Sequence, residues 1–230
     1  MYEAVLWDFG GVITTSPFDA FAAYERELGL PVDFIRRLNS TNPHTNAWAM
    51  LERGEVGRAA FAERFEAEAA AAGGELSGLR LLDLLAGDVR PQMVTALRRC
   101  KDAGLQVACL TNNFAPLAAP EPGSAGEGEP DPALEERRRL NLEREARIAE
   151  VMAMFDAIVE SSKTGVRKPE PRFYAIACEL LGVEPAACVF LDDLGVNLKP
   201  AREMGMATIK VIDAATALSE LEALLGLTLT

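Results

Sequence analysis

The chain has 230 residues, of which 49% are apolar, and its formal net charge at pH 7 is −12. This length fits one large domain or a core with a smaller insertion, and the apolar fraction is enough for a sizeable core. The acidic excess, without a basic stretch, argues against a nucleic-acid partner, and no apolar run approaches the length of a membrane span.

Two further features of the sequence bear on the compartment. The amino terminus has no cationic region before an apolar one, so we expect no signal peptide. The four cysteines, at positions 100, 109, 178 and 188, form no close pair in the sequence and are typical of buried reduced thiols. Together these features predict a cytoplasmic protein.

The first predicted strand is the apolar run Ala4–Trp7, and Asp8 follows it directly, with Gly10 and Gly11 behind. A carboxylate at the end of a buried strand is costly unless something binds it, and ligands of open α/β sheets sit at that edge. We therefore interpret Asp8 as a nucleophile or a metal ligand, the alternative being that it caps a turn. Residues 12–17 are predicted to be extended or turning.

Residues 18–88 show helical periodicity and no convincing strand. The predicted helices cover residues 18–28, 32–38, 47–53, 56–72 and 79–85, and residues 39–46 are predicted to be a loop. An all-helical block after a single strand predicts an inserted cap.

From residue 91 onwards, helices and strands alternate. The predicted helices cover residues 91–103, 133–154, 173–181, 198–204 and 217–225, and the predicted strands cover residues 105–110, 155–159, 188–191 and 208–211. This alternation predicts an α/β fold with a parallel, doubly wound sheet. Residues 118–132 are rich in Pro, Gly, Glu and Ala, so we expect them to be mobile. Within the 118–150 insertion, the charged helix is either a solvated face or an element near the site entrance.

Polar residues follow three of the predicted strands: Asp8, then the pair Thr111 and Asn112, then the pair Asp192 and Asp193. Because the ends of parallel strands share one edge, these residues are expected to converge. The alternative for each pair is a turn or a helix cap. Adjacent carboxylates repel unless a cation offsets them, and oxygen ligands favour Mg²⁺, whereas no cysteine–histidine spacing indicates zinc.

Four motifs, in this order, resemble those of the haloacid dehalogenase (HAD) superfamily: Asp8-Phe-Gly-Gly-Val, Leu110-Thr-Asn, Lys168-Pro and Leu191-Asp-Asp. Longer stretches around the last three are similar to the amino-terminal phosphatase domain of soluble epoxide hydrolase and to the HAD-like domain fused to some acyl-CoA dehydrogenases. The resemblance implies a Rossmann-like core of residues 1–16 and 89–230, with a helical cap at residues 17–88.

The resemblance also implies Mg²⁺-dependent hydrolysis of a small phosphomonoester. Asp8 would attack phosphorus and form an aspartyl-phosphate. Mg²⁺ would be held by Asp8, by the backbone carbonyl of Gly10 and by Asp193, with Asp192 helping directly or through water.

The same resemblance assigns residues to the phosphoryl group. Thr111 and the amide of Asn112 would hold its oxygens, with Gly11 among the substrate-binding residues, and Lys168 would neutralise charge. From its residue type alone, Lys168 is equally a solvated surface lysine. We expect Asn197 to support the loop of Asp193.

The sequence departs from the family pattern at Gly10. Most phosphatases of the superfamily carry a second aspartate there, which protonates the leaving group, and losing a general acid costs roughly 10²–10⁴ in rate. The competing hypothesis is therefore a weakly active or non-catalytic binding domain. A dehalogenase ranks lower, because dehalogenases need no metal and do not resemble this chain at Asp192 and Asp193.

Substrate choice is expected to lie in the cap, where Asn42, His44, Asn46, Trp48 and Arg53 form a polar and aromatic cluster. His44 and Trp48 are candidate substrate-binding residues. Their alternatives are an ordinary loop histidine and a cap-core tryptophan, and for Arg53 we favour an ion pair. The sequence specifies neither the substrate nor the oligomeric state.

Overall fold

The structure is a computed structural model and describes residues 1–85, 87–113 and 132–229. Five parallel strands form one sheet in the order β3-β2-β1-β4-β5. The strands are β1 (Ala4–Trp7), β2 (Gln106–Thr111), β3 (Ala157–Glu160), β4 (Cys188–Asp192) and β5 (Ala207–Lys210). The predicted α/β fold with a parallel sheet is confirmed, and β1 lies at its centre.

Helices cover both faces of the sheet because successive side chains of each strand point to opposite faces. One face, with Val5 and Trp7 of β1, packs against α6 (Pro91–Asp102) and α11 (Ala214–Leu225). The other face, with Leu6, packs against α9 (Pro171–Leu181) and α10 (Gly195–Glu203). The four cysteines are buried and free, as predicted.

Residues 18–83 contain five helices, which we call the helical block. They are α1 (Phe18–Glu27), α2 (Phe34–Ser40), α3 (Ala47–Glu52), α4 (Arg58–Ala71) and α5 (Gly78–Asp83). The block has an apolar core of its own, which includes Phe21, Ile35, Phe61, Phe65 and Leu81. It is therefore an independently packed insertion between β1 and α6.

The two chain segments that join the helical block to the sheet run antiparallel to each other. Thr14 pairs with Val89, and the backbone N–H of Thr15 donates to the carbonyl of Asp88 at 2.8 Å. A Cβ on Gly87 would lie 2.4 Å from the Thr15 carbonyl oxygen, so only glycine permits this approach. The pairing fixes where the block leaves and re-enters the core.

The prediction that residues 12–17 are extended or turning agrees with the structure, in which a wide turn spans Phe9–Ile13 and Thr14 is extended. The Asp8 carboxylate caps this turn and Gly11 takes a positive φ of 77°, a combination that apolar periodicity does not reveal. A short helix that the sequence did not indicate, α8 (Ser161–Thr164), follows β3 directly.

The charged helix predicted after the loop at 118–132 is confirmed as α7 (Pro132–Met152). The predicted mobile segment, up to residue 131, lies outside the described residues. Among the helices of the described part of the chain, none is long and apolar enough to cross a membrane.

Candidate active site

Three neighbouring strands bring their polar ends to one edge of the sheet. β1 pairs with β2 on one side and with β4 on the other, so the residues after them lie side by side. One carboxylate oxygen from each of Asp8, Asp192 and Asp193 lies within 4.8 Å of the other two. The predicted convergence of these side chains is therefore present in the structure.

Lys168 lies between two of these carboxylates and is almost completely buried. Its Nζ is 2.8 Å from Asp8 Oδ1 and 2.7 Å from Asp192 Oδ2. Burial alone would lower the pKa of Lys168, but the charges of Asp192 and Asp8 outweigh it and raise that pKa. Lys168 is thus a fixed ammonium ion and not the solvated lysine of the alternative interpretation.

Both carboxylate oxygens of Asp192 accept hydrogen bonds. Its Oδ1 accepts hydrogen bonds from the backbone N–H of Leu194 at 2.8 Å and from Asn197 Nδ2 at 3.0 Å. Asn197 Nδ2 also lies 3.1 Å from Oδ2. Asn197 therefore contacts Asp192, the neighbour of Asp193, which agrees with the expectation that it supports this loop. Its place in the first turn of α10 points its amide back at the strand end.

The two oxygens of the Asp8 carboxylate differ in their contacts with the protein. Oδ1 accepts from the backbone N–H of Phe9 at 2.6 Å and faces Lys168. Within the described residues, Oδ2 has no hydrogen-bond donor. Burial raises the pKa of Asp8 and Lys168 opposes that rise, while Asp192 and Asp193 add to it.

Asp193 is the half-buried carboxylate of the cluster. Burial raises its pKa to about 6, and the charge of Asp192 contributes to the rise. Oxygen ligands that repel one another in this way are the donor set of a hard divalent cation. One oxygen from each of Asp8, Asp192 and Asp193 is therefore placed where a metal ion could be held.

The two glycines after Asp8 differ in what surrounds them. A Cβ on Gly11 would lie 2.2 Å from Asp193 Oδ2, and the residue has a φ of 77°, so glycine is required there. Gly10 has φ −69° and ψ 130°, and a Cβ would meet nothing within 4 Å. Position 10 is exposed and has room for a side chain.

Thr111 and Asn112 lie beside the cluster at the end of β2, where Thr111 is buried. The side chain of Asn112 contacts the backbone of Lys168: Oδ1 accepts from the Lys168 N–H at 2.9 Å and Nδ2 donates to the Lys168 carbonyl at 3.0 Å. Sequence reasoning assigned a role only to the Asn112 backbone amide and missed this contact.

Glu52, in the last turn of α3, is a residue that the sequence analysis did not single out. Its buried carboxylate accepts from Trp48 Nε1 at 3.0 Å and from Asn112 Nδ2 at 3.3 Å, and it forms an ion pair with Arg167. Burial raises the pKa of Glu52, and Arg167 opposes the rise. Glutamate in an amphipathic helix is common, so no local sequence signal marks this one.

The polar and aromatic cluster of the helical block is divided between several roles. His44 is exposed in a turn, and Trp48 packs against Phe61 with ring centroids 5.4 Å apart. Asn46 is buried and caps α3, and Arg53 forms the expected ion pair with Glu55 at 2.6 Å. Trp48 Nε1 donates to Glu52, which in turn contacts Asn112 at the end of β2.

Comparison with known proteins gives matches over most of the chain. Residues 2–205 match the family of haloacid dehalogenase-like hydrolases. The chain is 34% identical to mouse acyl-CoA dehydrogenase family member 10 over 98% of its own length and 29% identical to pig bifunctional epoxide hydrolase 2 over 99%. It spans only 19% and 39% of these two relatives, respectively.

A shorter relative matches along most of both chains. A phosphatase from Mycobacterium tuberculosis is 30% identical over 89% of this chain and 84% of its own length. The similarity to this protein, which is named as a phosphatase, therefore covers residues of both the core and the helical block.

Solved structures share the fold at low sequence identity. A HAD-like hydrolase from Porphyromonas gingivalis superposes with a TM-score of 0.61, at 18% identity, over 99% of this chain and 100% of the other. A HAD family enzyme from Bacteroides thetaiotaomicron, solved with magnesium and inorganic phosphate, has a TM-score of 0.56 at 17% identity, over 96% and 99%. These similarities establish the fold alone.

Proposed function

Because the chain belongs to the haloacid dehalogenase-like hydrolase family, we propose that it is a Mg²⁺-dependent phosphatase acting on a small phosphomonoester through an aspartyl-phosphate on Asp8. The observation that carries the proposal is the cluster at one edge of the sheet that joins the buried Asp8, Asp192 and Lys168 with the half-buried Asp193. The similarity to a phosphatase over most of both chains supports it.

Asp8 is the proposed nucleophile. Its Oδ1 is fixed by Phe9 N–H and Lys168, which leaves Oδ2 free to attack phosphorus. Attack forms the Asp8–phosphorus bond and breaks the bond to the ester oxygen, and the leaving alcohol takes up a proton. Water then hydrolyses the acyl phosphate, which releases inorganic phosphate and regenerates the carboxylate.

Charge neutralisation is the second requirement of phosphoryl transfer. The residues that would hold Mg²⁺ are Asp8 and Asp193, with the Gly10 carbonyl and with Asp192 either directly or through water. The ion would neutralise phosphoryl charge and favour the ionised forms of carboxylates whose pKa burial raises. Lys168 supplies a fixed positive charge on the other side of Asp8.

The family resemblance assigns the remaining positions around the phosphoryl group. Thr111 and the backbone amide of Asn112 would hold phosphoryl oxygens, and Gly11 leaves the backbone close to the same site. The helical block would act as the cap over the substrate, with His44 and Trp48 as its candidate contacts. The buried Asn46, which caps α3, is structural.

Phosphate release from p-nitrophenyl phosphate tests the proposal, since its good leaving group needs little protonation and the glycine at position 10 matters least. We expect turnover with Mg²⁺, loss of turnover with a chelator, and loss in Asp8→Asn. Asp102→Asn is the matched control, because this exposed aspartate ends α6 at the opposite edge of the sheet. It is expected to leave the rate unchanged.

Three outcomes would contradict the proposal. Turnover that survives in Asp8→Asn would remove Asp8 as the nucleophile. Metal-independent release of halide from a 2-haloacid would indicate a dehalogenase. Absence of any turnover, at high enzyme concentration and with Mg²⁺ present, would indicate a binding domain whose chemistry was lost with the second aspartate.

A further inference from the structure

The side chain of Asn112 holds the backbone of Lys168 at two points. Its Oδ1 accepts from the Lys168 N–H at 2.9 Å, and its Nδ2 donates to the Lys168 carbonyl at 3.0 Å. The Lys168 side chain extends from the backbone between these two hydrogen bonds, and its Nζ contacts both Asp8 and Asp192. The Asn112 amide therefore fixes the backbone position from which the Lys168 side chain extends.

The same amide nitrogen of Asn112 also reaches the helical block. It lies 3.3 Å from Oε2 of Glu52, whose carboxylate also pairs with Arg167, the residue immediately before Lys168. Glu52 thus contacts the lysine segment twice, once through Asn112 and once through Arg167.

These contacts with the core depend on docking of the helical block. Glu52 accepts one hydrogen bond from its own helix, donated by Trp48 Nε1. Its contacts with Asn112 and Arg167 come from the core. A buried carboxylate is costly unless it is paired, so Glu52 would be hydrated instead if the block moved away.

Two further contacts, one before α3 and one after it, show how closely the helical block lies against the core. Arg167 Nη1 donates to the carbonyl of Pro43 at 3.0 Å. A Cβ on Gly54 would lie 3.2 Å from the carbonyl oxygen of Ser162 in α8, so a residue with a side chain would press on the core there. The docked block therefore brings Glu52 to a defined position.

We propose that Glu52 is a positioning residue through which the docked helical block fixes the placement of Lys168. Asn112 transmits the position of Glu52 to the backbone of Lys168, and Arg167 transmits it to the residue immediately before the lysine. The inference rests on the proposed function for the role of Lys168 in turnover, whereas the structural coupling is independent of it.

Amide hydrogen exchange in the metal-free and substrate-free protein tests the coupling. The Lys168 amide hydrogen is bonded to Asn112 Oδ1, so it reports directly on the clamp. In Glu52→Ala we expect exchange at Lys168 to accelerate about tenfold, the effect of losing one charged hydrogen bond. Glu55→Ala is the control, because it removes an exposed ion pair with Arg53 in the same block.

Equal exchange at Lys168 in Glu52→Ala and Glu55→Ala would overturn the proposal. If Glu52→Ala does not fold, Glu52→Asp provides the same test. It retains the charge, but its shorter side chain falls short of Asn112, so faster exchange at Lys168 is again expected.

Kinetics separate positioning from proton transfer. We expect Glu52→Ala to lower kcat about 10²-fold with a smaller change in KM, as misplacement of a charged group does. Glu52→Gln keeps an acceptor oxygen for Asn112 and should recover most of the loss. Equal damage from Gln and Ala would assign Glu52 a proton-transfer role and overturn positioning. Absence of turnover in the wild type would refute the proposed function and leave the exchange result interpretable.

Discussion

Lys168 Nζ lies 2.7 Å from Asp192 Oδ2, and both side chains are withdrawn from solvent, with exposed fractions of 1% and 0%. A pair buried this deeply is stabilising only as a pair, since either partner alone would be an uncompensated charge. The fold of this edge of the sheet and the chemistry proposed for it therefore depend on the same lysine.

Replacing Lys168 by methionine removes the cation and leaves the carboxylates of Asp192 and Asp8 buried beside each other. Breaking a buried ion pair from one side costs about 3–5 kcal/mol, so we expect a loss of this size in the free energy of unfolding. Urea denaturation in metal-free buffer measures it.

Lys199→Met is the matched control, because Lys199 is exposed and 3.9 Å from its partner Glu203. Exposed pairs of this kind contribute 0–1 kcal/mol, so its urea midpoint should stay close to that of the wild type. A midpoint for Lys168→Met that equals that of the control would show that the buried carboxylates do not need the lysine charge.

Gly11→Ala should weaken metal binding. The new Cβ would lie 2.2 Å from Asp193 Oδ2, so this carboxylate must move. Displacing a residue that orients a metal ligand costs roughly 10–100-fold in affinity, and we expect a loss in this range for Mg²⁺ by isothermal titration calorimetry.

Gly29→Ala is the control for Gly11→Ala, since Gly29 also has a positive φ, 67°, but a Cβ there meets nothing within 4 Å. Both variants carry the cost of a left-handed backbone, about 1–2 kcal/mol, and only one disturbs Asp193. Equal Mg²⁺ affinities in the two variants would refute the contact with Asp193.

Asp156 is expected to make the stability of the sheet depend on pH. Its Oδ1 accepts from Lys101 Nζ at 2.7 Å and its Oδ2 from the backbone N–H of Val107 at 2.8 Å. Burial acts to raise the pKa of Asp156, but the hydrogen bonds from Lys101 and Val107 outweigh it and lower that pKa. A lowered pKa stabilises the folded state above the unfolded value near 4, and this stabilisation is lost as pH falls through the folded-state pKa.

Asp156→Asn should therefore cost about 1 kcal/mol at pH 7, and the difference from the wild type should shrink below pH 4. Urea unfolding at pH 7, 5 and 3 measures this difference. Glu203→Gln, which changes the exposed pair with Lys199, should show no such trend. A difference for Asp156→Asn that grows on acidification would have the wrong sign and would exclude this explanation.

Local sequence patterns were enough to predict the sheet and the convergence of Asp8, Asp192 and Asp193 at one of its edges. The run Ala4–Trp7 is apolar throughout because both faces of β1 are covered, and a carboxylate directly after such a run is conspicuous. Most element bounds differ by one to three residues. For example, α9 begins at Pro171, where proline supplies the first helical φ, rather than at the first apolar residue, Phe173.

Contacts between distant segments could not be predicted in this way. Glu52 and Asn112 are 60 positions apart, and their contact exists because the helical block docks beside β2. Likewise, nothing in the sequence near Asn197 distinguishes a hydrogen bond to Asp192 from one to Asp193, since the choice depends on where α10 starts. Such contacts are set by tertiary packing and not by periodicity.

Gly10→Asp is expected to restore the general acid that the family pattern has at this position. The backbone there has φ −69° and ψ 130°, which any residue adopts, and a Cβ meets nothing within 4 Å, so the side chain fits without strain. Proton donation to the leaving alcohol is worth about 10²–10⁴ in rate, and the gain should be largest for alkyl phosphates, whose leaving groups are poor, and small for p-nitrophenyl phosphate. Gly10→Asn has the same shape but transfers no proton, so phosphate release from both ester classes should distinguish the two variants. Equal rates for Asp and Asn would show that position 10 does not face the leaving group.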